Sequence, residues 1–244
     1  MISLTQRGHE QAIEAGKELS SMLHPDDNIL FYTSPYKRAR QTTEGIVSQI
    51  EGKHSYKVNE DARLREQDFG NFQGEAKEMS RIWTDRAHYG HFFYRIPHGE
   101  SAADVYDRCS GFNETLFRQF SSDKFPSVLV LVAHGIWIRV FLMKWYRWTY
   151  EEFESLKNIP HCQFIIMEKR EDQKFKLKTR LRKWDDEEEV LTEDDDLSDA
   201  VGNSNSLTNQ QFEKMKQKER KIRASFARAN SVNKGNRTTT SSSN

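Results

Sequence analysis

Val128-Leu129-Val130-Leu131-Val132-Ala133-His134-Gly135-Ile136 is the stretch that decides the fold. Five unbroken apolar residues fit a parallel strand buried on both faces. A helix follows at once, with Ile136, Val140, Phe141 and Trp145 at helical spacing. Working outward, Asn28–Tyr32 is a second short apolar run, bounded by Asp26-Asp27 and Ser34-Pro35, and reads as a strand. Pro35 sits where a helix can open, since proline is tolerated in the first turn. That helix carries Tyr36, Ala39, Thr43, Ile46 or Val47, and Ile50 on one face. Before it, Thr5 is an N-cap for a helix to about Leu23, with Ala12, Ala15, Leu19 and Met22 facing inward. Met79–Tyr94 is aromatic and irregular and reads as short helices. Ser101 caps a helix whose face is Val105, Cys109, Phe112, Leu116 and Phe120. Gln163–Glu168 and Phe175–Leu181 read as strands, the second more exposed. Strands alternating with helices predict an α/β fold with a mostly parallel sheet.

The chain has 244 residues, with 37 basic and 37 acidic side chains. The zero net charge argues against a nucleic-acid partner, but it hides an uneven distribution. Asp185–Asp199 holds ten acidic residues and no basic one, and Glu213–Arg237 is mainly basic. Residues 184–244 carry twelve acidic and nine basic side chains, a net −3 that leaves +3 on residues 1–183. We therefore expect one domain over 1–183 and a charged, disordered tail over 184–244. Within the tail, residues 208–228 read as a basic helix with a thin apolar stripe of Phe212, Met215, Ile222 and Phe226: a solvated, partly formed helix in preference to a membrane-surface or nucleic-acid-binding one, in a tail able to bind an unknown partner. No apolar run approaches the roughly 18–20 residues of a membrane span. The N-terminus has no basic, then apolar, leader pattern. Two cysteines, Cys109 and Cys162, make neither a disulfide framework nor a zinc site. A cytoplasmic, and also nuclear, location is the expectation.

Open α/β sheets place their chemistry at the carboxyl ends of the strands. Here those ends are Thr33-Ser34 and Ala133-His134-Gly135. After the first, Lys37, Arg38 and Arg40 lie at a helix start, where free N–H groups and the dipole attract anions. Arg38, one turn in, can point back and clamp a phosphate with its planar fork; as surface residues all three would be unremarkable. His134, beside the next helix start, suits contact with an anionic group, or packs as a satisfied histidine. Glu66, in the glycine-punctuated loop Glu66–Gly74, can serve as general acid or stand in a solvated loop. Glu100 can face the site, with Ser101 as a plain cap. Arg7-Gly8-His9 lies inside the first expected helix and reads as surface.

Together these segments resemble the histidine phosphatase superfamily, also called the phosphoglycerate mutase-like family. Leu4-Thr5-x-x-Gly8-x-x-Gln11-Ala12 is similar to its first-helix signature, and Thr33-Ser34-x-x-x-Arg38-Ala39-x-x-Thr42 to its phosphate-arginine motif. Leu64-x-Glu66-x-Asp68-Phe69-Gly70-x-Phe72-x-Gly74 resembles its acid loop. Gly99-Glu100-Ser101 with Arg108, and Val130-x-x-Ala133-His134-Gly135 with Ile138-Arg139, resemble its second half. The match runs from about residue 3 to 183. It implies a three-layer α/β/α sandwich and hydrolysis of phosphomonoesters through a phosphohistidine, with a phosphorylated small molecule or phosphoester as substrate. Arg38 and His134 would be phosphate ligands, and Glu66 the proton donor. It implies no cofactor and no metal. His88, Tyr89, His91, Phe92, Phe93, Tyr94 and Arg95, with Glu100, would form a lid that sets substrate choice, or simply pack on the domain. The short stretch between Gly74 and Pro97 ranks mutase chemistry below hydrolysis.

One departure concerns the nucleophile. The family carries it in an Arg-His-Gly motif on a first, central strand, and no Arg-His-Gly occurs in these 244 residues. The expectation is a catalytically incomplete chain: truncated ahead of Met1, or a pseudoenzyme that keeps a phosphate- or protein-binding function. Loss of a central strand would leave an unpaired sheet edge, which favours truncation.

Overall fold

The computed structural model describes residues 2–70, 76–122, 125–172 and 174–184, and of 76–80 the backbone alone. Residues 185–244 lie outside the described residues, and with them the expected tail helix at 208–228.

Helix α1 (Gln6–Met22) starts where the Thr5 hydroxyl accepts the Gly8 N–H. Strand β1 (Asn28–Thr33) is buried from Ile29 onward. Helix α2 (Lys37–Val47) follows, with Tyr36 rather than Pro35 at its start. Strand β2 (Ser55–Glu60) and a 3-10 turn (Ala62–Leu64) lead into the acid loop. Helix α3 (Ala76–Tyr89) is one helix where several short ones were expected. Helix α4 (Ala102–Phe120) opens with a reciprocal box between Ser101 and Asp104. Then come β3 (Val128–Val132), α5 (Gly135–Tyr146), the short α6 (Tyr150–Ser155), β4 (Met167–Lys169) and β5 (Phe175–Leu177).

The sheet order is β2-β1-β3, all parallel, with Thr33 opposite Val132 and Ile29 opposite Val128. β4 and β5 form a separate antiparallel pair and are shorter than the sequence suggested. Side chains alternate across the sheet. Ile29, Phe31, Val130 and Val132 pack against Ala15 and Leu19 of α1 and Ala39 and Ile46 of α2. Leu30 and Tyr32 face Val105, Phe112 and Leu116 of α4 and Trp137, Val140 and Phe141 of α5. Helices therefore cover both faces, giving the three layers. α1 and α2 approach so closely that a Cβ at Gly16 would stand 2.7 Å from the Ile46 carbonyl oxygen. Met22, expected on the inner face of α1, is exposed, and Leu23, just past the helix, packs against the cluster of Ile29 and Phe31 instead.

β3 departs from the two-sided burial read from its apolar run. Only Val130 and Val132 are buried. One edge pairs with β1, and the other has no strand partner among the described residues. No helix among the described residues is long and apolar enough to cross a membrane.

Candidate active site

The register of the sheet brings two strand ends together. Thr33 lies opposite Val132, so the residues that follow each strand are neighbours. Ser34 donates its N–H to the Val132 carbonyl at 2.9 Å. His134, fully extended in backbone, stands at the start of α5. Its Nε2 lies 2.8 Å from Ser34 Oγ, with both side chains buried. Arg38 reaches back from the first turn of α2, and its Nη2 lies 3.2 Å from His134 Nδ1. The Tyr36 ring floors this pair: its centroid is 5.2 Å from that of His134 and 4.9 Å from the Arg38 guanidinium carbon. Lys37 is exposed and Arg40 turns to Glu60, so of the three basic residues Arg38 alone joins His134.

Burial, then the charges of Arg38 and Arg108, push the His134 imidazole down to about 3. It is neutral near pH 7. Burial pushes the Tyr36 phenol up, and the carboxylates of Asp68 and Glu100 add to that against Arg38 and Arg65.

Glu66 is buried beside this pair. Its carboxylate accepts the N–H groups of Ile136 at 3.3 Å, Trp137 at 3.3 Å and Gln67 at 3.0 Å. The free N–H groups of the first turn of α5 thus hold a side-chain carboxylate. The loop behind Glu66 is clamped. Arg108, projecting from α4, donates to the carbonyls of Arg63 at 2.8 Å, Arg65 at 2.6 Å and Glu66 at 3.1 Å. It also pairs with the Glu100 carboxylate at 3.0 Å. Glu100 in turn accepts from Asp68 N–H and from Arg65, and its own N–H donates to the Asp68 carbonyl. Burial works against the charge of Glu100, but Arg108, the Asp68 N–H and Arg65 hold its carboxyl below the usual range. Gly99 lies so close beneath that a Cβ there would stand 2.3 Å from the Asp68 carbonyl oxygen. Trp137 closes the other side, its indole N–H donating to the Arg63 carbonyl at 2.7 Å.

The structure thus gathers Arg38, His134 and Glu66 around the strand ends and the start of α5. It ties Glu100 into the clamp. Tyr94 and Arg95 turn elsewhere: Tyr94 packs on Tyr89, and Arg95 pairs with Asp104. Phe92 sits in the core against Tyr106 and Phe153. Residues 71–75, with Phe72 and Gly74, lie outside the described residues. Sequence reasoning did not give Tyr36 a place in the site. Its signal is position alone, two residues past a strand end. Among the described residues, no group of three or more His, Cys, Asp or Glu side chains converges as metal ligands do.

The chain matches the histidine phosphatase superfamily (branch 1) over residues 2–182. It is 38% identical to the broad-range acid phosphatase DET1 of Saccharomyces cerevisiae, over 79% of this chain and 85% of that one. It is 43% identical to the phosphoglycerate mutase-like protein AT74H of Arabidopsis thaliana, over 68% of this chain, and spans 64% of the plant protein's length. In three dimensions it resembles Bacillus stearothermophilus YhfR with a TM-score of 0.56 at 23% identity, over 72% of this chain and 82% of that one. The low identity of that structure speaks for the fold alone, whereas the match along the sequence carries the family: this chain belongs to the histidine phosphatase superfamily.

Proposed function

We propose that residues 1–183 form the phosphate-binding and proton-transfer body of a phosphatase that hydrolyses phosphomonoesters through a phosphohistidine. The observation that carries this reading is the meeting of Arg38 and His134 at the joined strand ends, with Glu66 at the first turn of α5. The Arg38 fork and the imidazole of His134 bind the phosphoryl oxygens and offset charge as it develops there. A nucleophilic imidazole forms a P–N bond as the P–O bond to the alcohol breaks, and Glu66 gives the leaving oxygen its proton. Water then attacks phosphorus, the P–N bond breaks, and Glu66 takes the proton back. No Arg-His-Gly occurs in these 244 residues, so on this reading the nucleophile comes with a strand that is not among them. The edge of β3 that has no strand partner among the described residues supports a place for it beside His134.

The yeast relative's name supports hydrolysis with a broad range of phosphoesters over mutase chemistry. Glu100 takes part in substrate choice on this reading, through the loop it clamps, and Tyr94 and Arg95, turned to Tyr89 and Asp104, do not. The unpaired cysteines Cys109 and Cys162 suit a reducing cytoplasmic or nuclear setting. The charged segment after Trp184 binds an unknown partner on this reading.

The test is hydrolysis of p-nitrophenyl phosphate by this chain and by the same chain extended with an Arg-His-Gly strand. Activity in the longer chain alone, lost on Glu66→Gln or Arg38→Ala, supports the enzyme. A second reading rests on the missing motif: a non-catalytic phosphate-binding module. Inactivity in both chains, with phosphate binding that Arg38→Ala abolishes, would favour it.

A further inference from the structure

His134 has two ring nitrogens, and both are engaged. A guanidinium can only donate, so Nδ1, 3.2 Å from Arg38 Nη2, is an acceptor. The ring proton therefore sits on Nε2 and is given to Ser34 Oγ at 2.8 Å. In this state His134 offers an anion no N–H. An oxyanion drawn to Arg38 would meet the Nδ1 lone pair instead.

We infer that Ser34 is a positioning residue that lets His134 change from acceptor to donor when an oxyanion engages Arg38. The ring proton leaves Nε2 for water and another reaches Nδ1 from water or from the oxyanion, so the imidazole stays neutral. Nδ1–H then donates to the anion, and the Ser34 hydroxyl turns to donate to Nε2. This rests on the reading of Arg38 and His134 as phosphate ligands.

Ser34 is suited to the task. It is fully buried, and its backbone is pinned to β3. Its oxygen also accepts the Tyr36 N–H at 3.4 Å, which leaves the hydroxyl hydrogen free to rotate. A hydroxyl both donates and accepts; alanine does neither. The charged and titratable groups around the ring are Arg38 from α2, Tyr36 ahead of it, Arg108 from α4 and Glu66 at the start of α5. Two of the four are cations, and the burial that holds the imidazole neutral opposes a second ring proton.

The experiment is nitrogen-15 NMR of the histidine-labelled chain, with and without saturating inorganic phosphate. Without phosphate, His134 should carry its proton on Nε2. With phosphate, the proton should be on Nδ1, with Nε2 bare. Ser34→Ala, checked by circular dichroism to be folded, should weaken phosphate binding about tenfold and fail to reach the reversed tautomer. Binding with the proton still on Nε2, or on both nitrogens, would overturn the inference and leave the phosphate site standing. No phosphate binding at all would overturn both. A Ser34→Ala protein that binds and reverses like the parent would remove Ser34 alone from the account.

Discussion

The loop that carries Glu66 is bonded from three sides, whereas Arg38 and His134 are bonded chiefly to each other and to Ser34. On the first side, Arg108 holds three backbone carbonyls and the Glu100 carboxylate, with Gly99 and Trp137 completing the clamp. On the second, two polar contacts and an aromatic floor do all the work. The difference separates two duties. A proton-transferring group must be in place before substrate arrives, so its support is built in advance. A phosphate pocket must give up or reverse its internal bonds when the ligand arrives, so those bonds are few.

The largest effect should come from breaking the clamp. Arg108→Met removes a donor from the part-buried carbonyls of Arg65 and Glu66 and from the Glu100 carboxylate, while Trp137 still holds the Arg63 carbonyl. It should cost about 3 kcal/mol or more in urea unfolding. A loss below about 1 kcal/mol would erase the contrast between the two sides. Next is Gly99→Ala. Its methyl would collide with the Asp68 carbonyl, and overpacking of this kind costs roughly 1–3 kcal/mol. A thermal melt unchanged from the parent would show that the loop yields where it should be rigid.

The pocket side should reveal itself through pH. His134 is pushed down to about 3 when folded, against an ordinary value of 6.5. The unfolded chain therefore binds the extra proton between those values. The stability this group allows is complete above about 6.5 and falls as pH drops toward 3, by at most about 1.4 kcal/mol per pH unit. Carboxylates also lose their stabilising charge in this range, so the informative quantity is the parent minus His134→Gln. That difference should shrink steadily below pH 6.5, and a flat difference would contradict the buried, neutral imidazole. The smallest effect on stability should come from Arg38→Met, at about 1 kcal/mol or less, since it frees a single acceptor.

Much of this arrangement is legible in the sequence, and the exceptions have physical reasons. Thr5 and Ser101 announce their helices because a cap is a side-chain property. The apolar runs of β1 and β3 locate Ser34 and His134 because a strand end is where such a run stops. β2 escapes notice: Ser55-Tyr56-Lys57-Val58-Asn59-Glu60 is a mostly exposed edge strand, so nothing in its composition demands burial. Tyr36 reads as an apolar helix residue, yet it precedes the helix and faces the site. The role of Arg108 is the least readable. Its partners are mainly backbone carbonyls, which every residue has, and only the folded loop lines them up.

The most direct test of the central claim is calorimetric titration of the chain with inorganic phosphate. Parallel titrations should use Arg38→Met, His134→Gln and, as a control on the exposed face of the same turn, Lys37→Met. The parent and Lys37→Met should bind alike, and Arg38→Met and His134→Gln should each lose at least about tenfold in affinity. Equal binding by all four proteins, or a loss confined to Lys37→Met, would contradict a phosphate site built at the joined ends of β1 and β3.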